Sequence, residues 1–245
     1  LERVVLFTDR GIIYDRSGRE LAWNEKTELS DGMPIRAYLG EGFSHVVGYV
    51  SYPTKDTSGN LWQSEFEGKD GLEKEYNDKI KGSNGSKILE TNALGKTYSE
   101  NIVNAPIRGG DLKTTIDSRV QGELFNVIKN VSKNYSFGGG TGIIIDIENG
   151  EILASTSFPE YNSEILSLGK DTVKINTYIN DKGKAFLDRT ISGLYAPGSI
   201  IKPFLAIAAL EEGIIDQNKK ILSTGSISIH NPYFKDQTSI FKDWR

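Results

Sequence analysis

The stretch "YAPGSIIKPFLAIAALEEG", Tyr195 to Gly213, decides how the rest of the chain is read. Ser199 and Lys202 stand three residues apart, after a Pro-Gly and ahead of an apolar run. Two readings are open. Serine is a favoured helix N-cap and lysine a common surface residue, so the pair can be ordinary. It can also be a nucleophile and its base. A serine hydroxyl attacks only when a base takes its proton, and lysine is that base only where burial or a nearby cation lowers its pKa. Spacing i, i+3 sets both side chains on one helix face, and a helix N-terminus favours developing negative charge. Pro197-Gly198 makes a tight entry that lets a substrate approach the Ser199 N–H, and Pro203 falls in the first turn, where a missing N–H is tolerated. A helix is expected from about Ser199 to Glu212, stopping at Gly213, and Phe204, Leu205, Ile207, Ala208 and Leu210 give it a buried pattern that would hold the pair rigid.

The letters alone do not discriminate. Ser-x-x-Lys also occurs at Ser167/Lys170 and Ser239/Lys242. The first encloses Gly169 and lacks an apolar helix after it; the second lies near the end of the chain. Only the pair at 199 has the turn, the helix and the expected burial.

Composition narrows the classes. A length of 245 residues suits one large domain or two modest ones, and the net charge of −4, without a basic cluster, argues against nucleic-acid binding. There is no cysteine, which excludes disulfides and thiolate chemistry and fits an extracytoplasmic protein. The two histidines, His45 and His230, are far apart without ligand spacing, so neither a metal site nor a Ser-His-Asp triad is expected. No apolar run approaches the ~20 residues of a membrane span. The chain begins at Leu1 and ends on "SIFKDWR", and both ends read as cut, so a piece of a longer protein is expected.

Along the chain, "RGIIYDRSGRELAW" (10–23) predicts a hairpin turning at Asp15–Gly18. "SHVVGYVSY" (44–52) predicts a strand, residues 54–69 a polar loop, "GLEKEYNDKI" (71–80) a helix, and "KGSNGSK" (81–87) a loop. "NAPIRGGD" (104–111) marks the domain boundary, giving 1–110 and 111–245. "LKTTI" (112–116) predicts a strand. Asp117-Ser118 then open a helix through about Ser132, with Ser118-Arg119-Val120-Gln121 as capping box and Val120, Leu124, Val127, Ile128 and Val131 as its apolar face. "TGIIIDI" and "EILASTS" flank Asn149-Gly150, the signature of a type I′ hairpin, and 158–185 reads as irregular.

These segments carry a resemblance. "LDRTISGLYAPGSIIKPF" is similar to the Asn-Arg-x-x-x-x-x-Tyr-Pro-Pro-Gly-Ser-x-x-Lys-Pro segment of class B penicillin-binding proteins, with Asp188 and Ala196 as mild departures. "RGIIYDRSGRELA", "GLEKEYNDKIKGSNG", "TTIDSRVQ" and "GIIIDIENGEILASTSFPEYN" resemble, in order, four other segments of that family. The implied fold is α+β: a β-rich N-terminal pedestal of the dimerisation type, 1–110, then the first part of a β-lactamase-like transpeptidase domain, 111–245.

The implied activity is D,D-transpeptidation of peptidoglycan. Ser199 would attack the carbonyl between the terminal D-alanines of a stem peptide, Lys202 would take its proton, and β-lactams would acylate the same serine. No cofactor is implied. The implied partners are stem peptides on a lipid-linked precursor, β-lactams, a membrane glycosyltransferase and rod-complex scaffolds. The implied location is the outer face of a bacterial cell membrane, reached through an N-terminal anchor. "NPYFKDQTSIFKDWR" (231–245) resembles elongation-type members, through its Asp-Trp. Asp15 and Arg16 read as structural, pinning the hairpin turn. Two later motifs of the family, Ser-x-Asn and Lys-Thr/Ser-Gly, do not follow Lys202; Ser58-Gly59-Asn60 matches the first by letters only. The chain alone is therefore expected not to turn over substrate. The alternatives are a β-lactam sensor or class D β-lactamase-like acylase, or a non-catalytic cell-wall scaffold.

Overall fold

The Asp15–Gly18 turn folds as its residues dictate: Gly18 takes a φ of 92° and the Asp15 carboxylate accepts from the Ser17 amide, the Ser17 hydroxyl and the Arg19 amide. The computed structural model describes all residues except 27–31, 59–60, 93–96, 221, 235 and 243–245. Gly59-Asn60 and the Asp-Trp at 243–244 thus lie outside the described residues.

Two compact units result, Leu1–Leu194 and Tyr195–Arg245. The first opens with β1 (Glu2–Leu6), β2 (Ile13–Tyr14), β3 (Glu20–Glu25), β4 (Ile35–Tyr38), α1 (Ser44–Val47) and β5 (Val50–Ser51). Next come β6 (Thr54–Lys55), β7 (Leu61–Gln63), β8 (Glu67–Gly68), α2 (Gly71–Glu75) and α3 (Asn77–Ile80). β9 (Gly85–Thr91), β10 (Thr97–Asn104), β11 (Leu112–Lys113) and α4 (Ser118–Asn134) follow, then β12 (Gly140–Ile145), β13 (Ile152–Phe158), α5 (Ser163–Leu168) and α6 (Thr172–Ile179). The second unit holds a 3-10 turn (Gly198–Ile201), α7 (Lys202–Glu211), and the antiparallel pair β14 (Ser226–His230) and β15 (Thr238–Lys242). Architecture is therefore mixed α and β, as expected.

A sheet ordered β11-β2-β3-β4 carries the main core, where Ile13, Leu21, Ala22, Tyr38, Phe43, Val47, Ile80, Leu112 and Ile116 pack together. β11 lies parallel to β2, Leu112 opposite Ile13, so residues just past 110 complete a sheet built by the residues before it. A second sheet runs β1-β9-β10. Beside the core sits a buried charge cluster. Glu73 receives Arg10 Nε at 2.6 Å and Arg36 Nε at 2.7 Å, and all three side chains are essentially sealed from solvent. Glu73 gives one carboxylate oxygen to each guanidinium, and Arg10 further donates to Glu73 O; among the described residues Arg36 Nη2 is left without a partner.

Several expectations are corrected. Residues 44–52 form α1 and β5 rather than one strand, because the Ser44 hydroxyl bonds the Tyr161 carbonyl and the Tyr161 hydroxyl returns to Ser44 O. The polar stretch 54–69 holds β6, β7 and β8, whose backbone pairing does not need apolar side chains. The loop expected at 81–87 gives way to β9 from Gly85, and the strand expected at 112–116 shortens to β11. The region 158–185 contains α5 and α6, capped by the Asn162 and Asp171 side chains. For α4 the N-cap is Asp117, which accepts from the Arg119 and Val120 amides, while Ser118 and Gln121 turn inward to bond other segments. Its buried apolar residue is Phe125; Val127 and Val131 are exposed. At the β12–β13 turn only Gly150 has positive φ, so the turn is not type I′; the Gly150 amide instead reaches Asp146 O in a longer loop. The apolar run of α7 is exposed, Phe204 at 68% and Leu205 at 60%, rather than a buried helix. A unit of one helix and one hairpin offers too little surface to cover it.

Candidate active site

Ser199 sits in the 3-10 turn Gly198–Ile201 and Lys202 is the residue that caps it and opens α7. The Lys202 amide donates to the Ser199 carbonyl, an i to i+3 closure. In such a turn residues i and i+3 eclipse, so both side chains leave the backbone in nearly the same direction. The tight turn achieves what a regular helix would, and the α-helix starts three residues later than expected. Gly198 has φ 56°, and a Cβ there would meet nothing within 4 Å. Its need for glycine is conformational, and it leaves the approach to the Ser199 amide open. Pro203 occupies the first turn of α7, where it removes no intrahelical bond. Both Ser199 and Lys202 are exposed, and among the described residues neither side chain has a hydrogen-bond partner.

The other two Ser-x-x-Lys matches part from this geometry. Ser167 is buried, its hydroxyl within 3.1 Å of the Tyr38 hydroxyl and accepting from the Val50 amide. It is a packing element joining α5 to β4 and β5. Ser239 lies on β15 together with Lys242, and residues three apart on a strand face opposite sides. His45 is buried on α1 with Nε2 3.0 Å from Ala185 O, and burial lowers its pKa; His230 is exposed on β14 beside Thr238. Among the described residues no group of His, Asp and Glu is arranged to hold a metal ion.

Near the end of the first unit the adjacent Asp188 and Arg189 pin the chain locally. Arg189 is buried and its guanidinium donates to the carbonyls of Gly183, Leu187 and Lys184, while its amide donates to Ser157 Oγ at 3.1 Å. Asp188, where the family pattern has Asn, accepts from the Thr190 amide and hydroxyl, so the substitution keeps a side-chain turn. Sequence reasoning quoted this pair without assigning it a role, because an arginine that satisfies carbonyls looks in the letters like a surface one.

Family comparison agrees with this layout. The model described as the penicillin-binding protein dimerisation domain matches residues 30–114, and that of the penicillin-binding protein transpeptidase domain matches residues 140–243. The two matches stand in that order and together take in most of the chain; the chain belongs to the class B penicillin-binding proteins. Among curated relatives it is similar to the peptidoglycan D,D-transpeptidase MrdA of Haemophilus influenzae, 27% identical over 220 residues, covering 86% of this chain and 32% of that protein. MrdA of Acinetobacter baumannii is 29% identical over 213 residues, covering 84% of this chain and 30% of that protein. The chain thus spans about a third of the length of the curated relatives it matches. Among solved structures, Pseudomonas aeruginosa PBP2 in complex with WCK 5153 aligns at a TM-score of 0.70 and 26% identity, covering 99% of this chain and 48% of that one. A complex of PBP2 and MreC from Helicobacter pylori aligns in fold at a TM-score of 0.71 and 24% identity, covering 100% of this chain and 57% of that one.

Proposed function

We propose that this chain carries the nucleophile segment of an elongation-type peptidoglycan D,D-transpeptidase. Ser199 Oγ attacks the carbonyl joining two terminal D-alanines of a stem peptide. Lys202 Nζ takes the serine proton and returns it to the departing D-alanine amine. An amine of a neighbouring stem then takes the acyl group from the serine. The observation that carries this reading is the eclipsed Ser199–Lys202 turn inside the residues matched by the transpeptidase family. Residues 1–110 serve as pedestal and 111–245 as the opening of the transpeptidase domain. The family matches, one ending at 114 and the other starting at 140, support that division.

The test is acylation of a protein of the relatives' full length containing this chain, followed with a fluorescent penicillin. Ser199→Ala is expected to abolish labelling, and Lys202→Ala to slow it by about 10²–10⁴-fold, the range of general base catalysis. Labelling of the Ser199→Ala protein at the wild-type rate would overturn the assignment. The 245-residue chain by itself is expected not to turn over substrate, since neither later motif follows Lys202. Labelling of this chain at the rate of a full-length homologue would overturn that. The proposed location is the outer face of the cell membrane, with a membrane glycosyltransferase and a scaffold of the kind bound to the Helicobacter pylori relative as partners. Among the described residues no helix is long and apolar enough to cross a membrane.

A further inference from the structure

Glu160 sits in the connection from β13 to α5, and its carboxylate reaches across to the pedestal. Oε1 accepts from the Gly42 amide at 2.6 Å and Oε2 from the Ser44 amide at 3.2 Å. The bonds join residues 118 and 116 apart in sequence, one side within the dimerisation match and the other within the transpeptidase match. The contact is embedded in a polar junction. Gln121 Nε2 and Thr156 Oγ1 donate to Gly42 O, Ser44 Oγ donates to Tyr161 O, and the Tyr161 hydroxyl donates to Asp70 Oδ2 at 2.6 Å. A cavity of about 200 Å³ opens beside Glu160, which gives its carboxyl a path for protons.

We infer that Glu160 is a proton-responsive latch between the pedestal and the transpeptidase segment, holding the Gly42–Ser44 loop against the β13–α5 connection. The carboxylates near it favour the neutral acid. Glu41 precedes the gripped loop, Glu164 on α5 borders the cavity, and the phenols of Tyr38 on β4 and Tyr178 on α6 line it. No cation lines the cavity among the described residues, and Lys129 on α4 is engaged by Glu41. His45 on α1 is turned to Ala185 O and packs edge-on against Tyr161. Burial, with Glu41 adding to it, pushes the Glu160 carboxyl up to about 7 against the pull of the two amides.

A carboxyl raised in the folded state, from an ordinary 4.5, stabilises the fold fully below the lower value. That contribution is lost as pH rises through about 7. Above it the half-buried charge gains more water when the junction opens, so the latch loosens. His45, lowered by burial, acts with the opposite sign, losing stability toward acid. A comparison of two proteins differing only at Glu160 removes its contribution.

The experiment is urea unfolding of the wild-type chain and Glu160→Gln between about pH 5 and about pH 8.5, with amide exchange of Gly42 and Ser44 followed over the same range. The expected result is that the wild-type unfolding equilibrium shifts toward the unfolded state, relative to the variant, by about tenfold or more as pH rises, one unit of pKa shift being tenfold. Protection of the Gly42 and Ser44 amides, corrected for intrinsic exchange, falls in the same window in the wild type and not in the variant. Parallel pH profiles for the two proteins, or amide protection indifferent to Glu160, would overturn the inference. Should Glu160→Gln fail to fold, the carboxyl carbon of Glu160 in the labelled wild type decides: a midpoint above about 6 supports the latch, and one near the ordinary range of about 4–5 overturns it.

Discussion

Asp15 and Ser118 are 103 residues apart, and the Ser118 hydroxyl donates to Asp15 Oδ2 at 2.7 Å. One carboxylate thereby closes the β2–β3 turn with Oδ1 and anchors the first residue of α4 with Oδ2. Burial works to raise the Asp15 carboxyl, but bonds from Ser17, Ser118 and the Arg19 amide outweigh it and hold the group well below the usual carboxylate range.

Asp15→Asn is expected to destabilise the chain by about 2–3 kcal/mol, the scale of charge-assisted bonds lost in a buried site. A depressed carboxyl stabilises the fold above its unfolded value of 3.8 and loses that contribution as pH falls through the folded value. The wild type should therefore weaken with acid below about pH 4 more steeply than the variant. Urea midpoints measured from neutral to acid pH check both points.

Glu73 holds Arg10 and Arg36 at once. Glu73→Ala would leave two buried guanidinium groups without a counter-charge, and a loss of about 3–5 kcal/mol is expected. Because Arg10 also donates to Glu73 O, its anchoring is only partly removed. A double-mutant cycle of Glu73 and Arg36 measured by denaturant unfolding should show strong coupling.

Gly42 has a φ of 94°, and a Cβ there would lie 2.9 Å from Phe125 Cβ. Gly18, with φ 92°, has open space around it. Gly42→Ala combines strain with overpacking and should cost about 2–4 kcal/mol, whereas Gly18→Ala should cost about 1 kcal/mol from strain alone. Thermal unfolding of the two variants side by side tests the difference.

Ser199→Ala and Ser167→Ala should behave in opposite ways. Removing the exposed, unpartnered Ser199 hydroxyl is expected to change stability by less than about 0.5 kcal/mol. Removing the buried Ser167 hydroxyl leaves the Tyr38 hydroxyl and Val50 amide unsatisfied, and a loss of about 1–3 kcal/mol is expected. Urea unfolding of both variants separates an exposed, unpartnered serine from a buried structural one.

Much of the local structure was legible because its signals are local. The Asp15–Gly18 hairpin, the stop of α7 at Gly213 and the course of α4 rest on turn residues and periodicity within a few positions. What was misread depends on distant partners. Residues 44–47 are β-branched enough to read as a strand, yet Tyr161 draws them into α1. The caps at Asn162 and Asp171 were visible in the letters, but helices of six and eight residues carry too little periodicity to be separated from a loop. Glu160 reads as a polar loop residue until Gly42 and Ser44 are placed against it.

The sequence by itself determined the family and singled out the Ser199–Lys202 pair, because both are written in contiguous stretches: motif spacing, a Pro-Gly entry and an apolar run. It also singled out Asp15 as structural. Only the tertiary structure decided that Ser167 is buried and bonded while Ser199 is exposed, which charges are buried, and that the carboxyls of Asp15 and Glu160 each bond a segment more than a hundred positions away. The physical reason is that burial and hydrogen-bond partnership are properties of residues about a hundred positions apart brought together, as Ser167 with Tyr38 and Glu160 with Gly42 show.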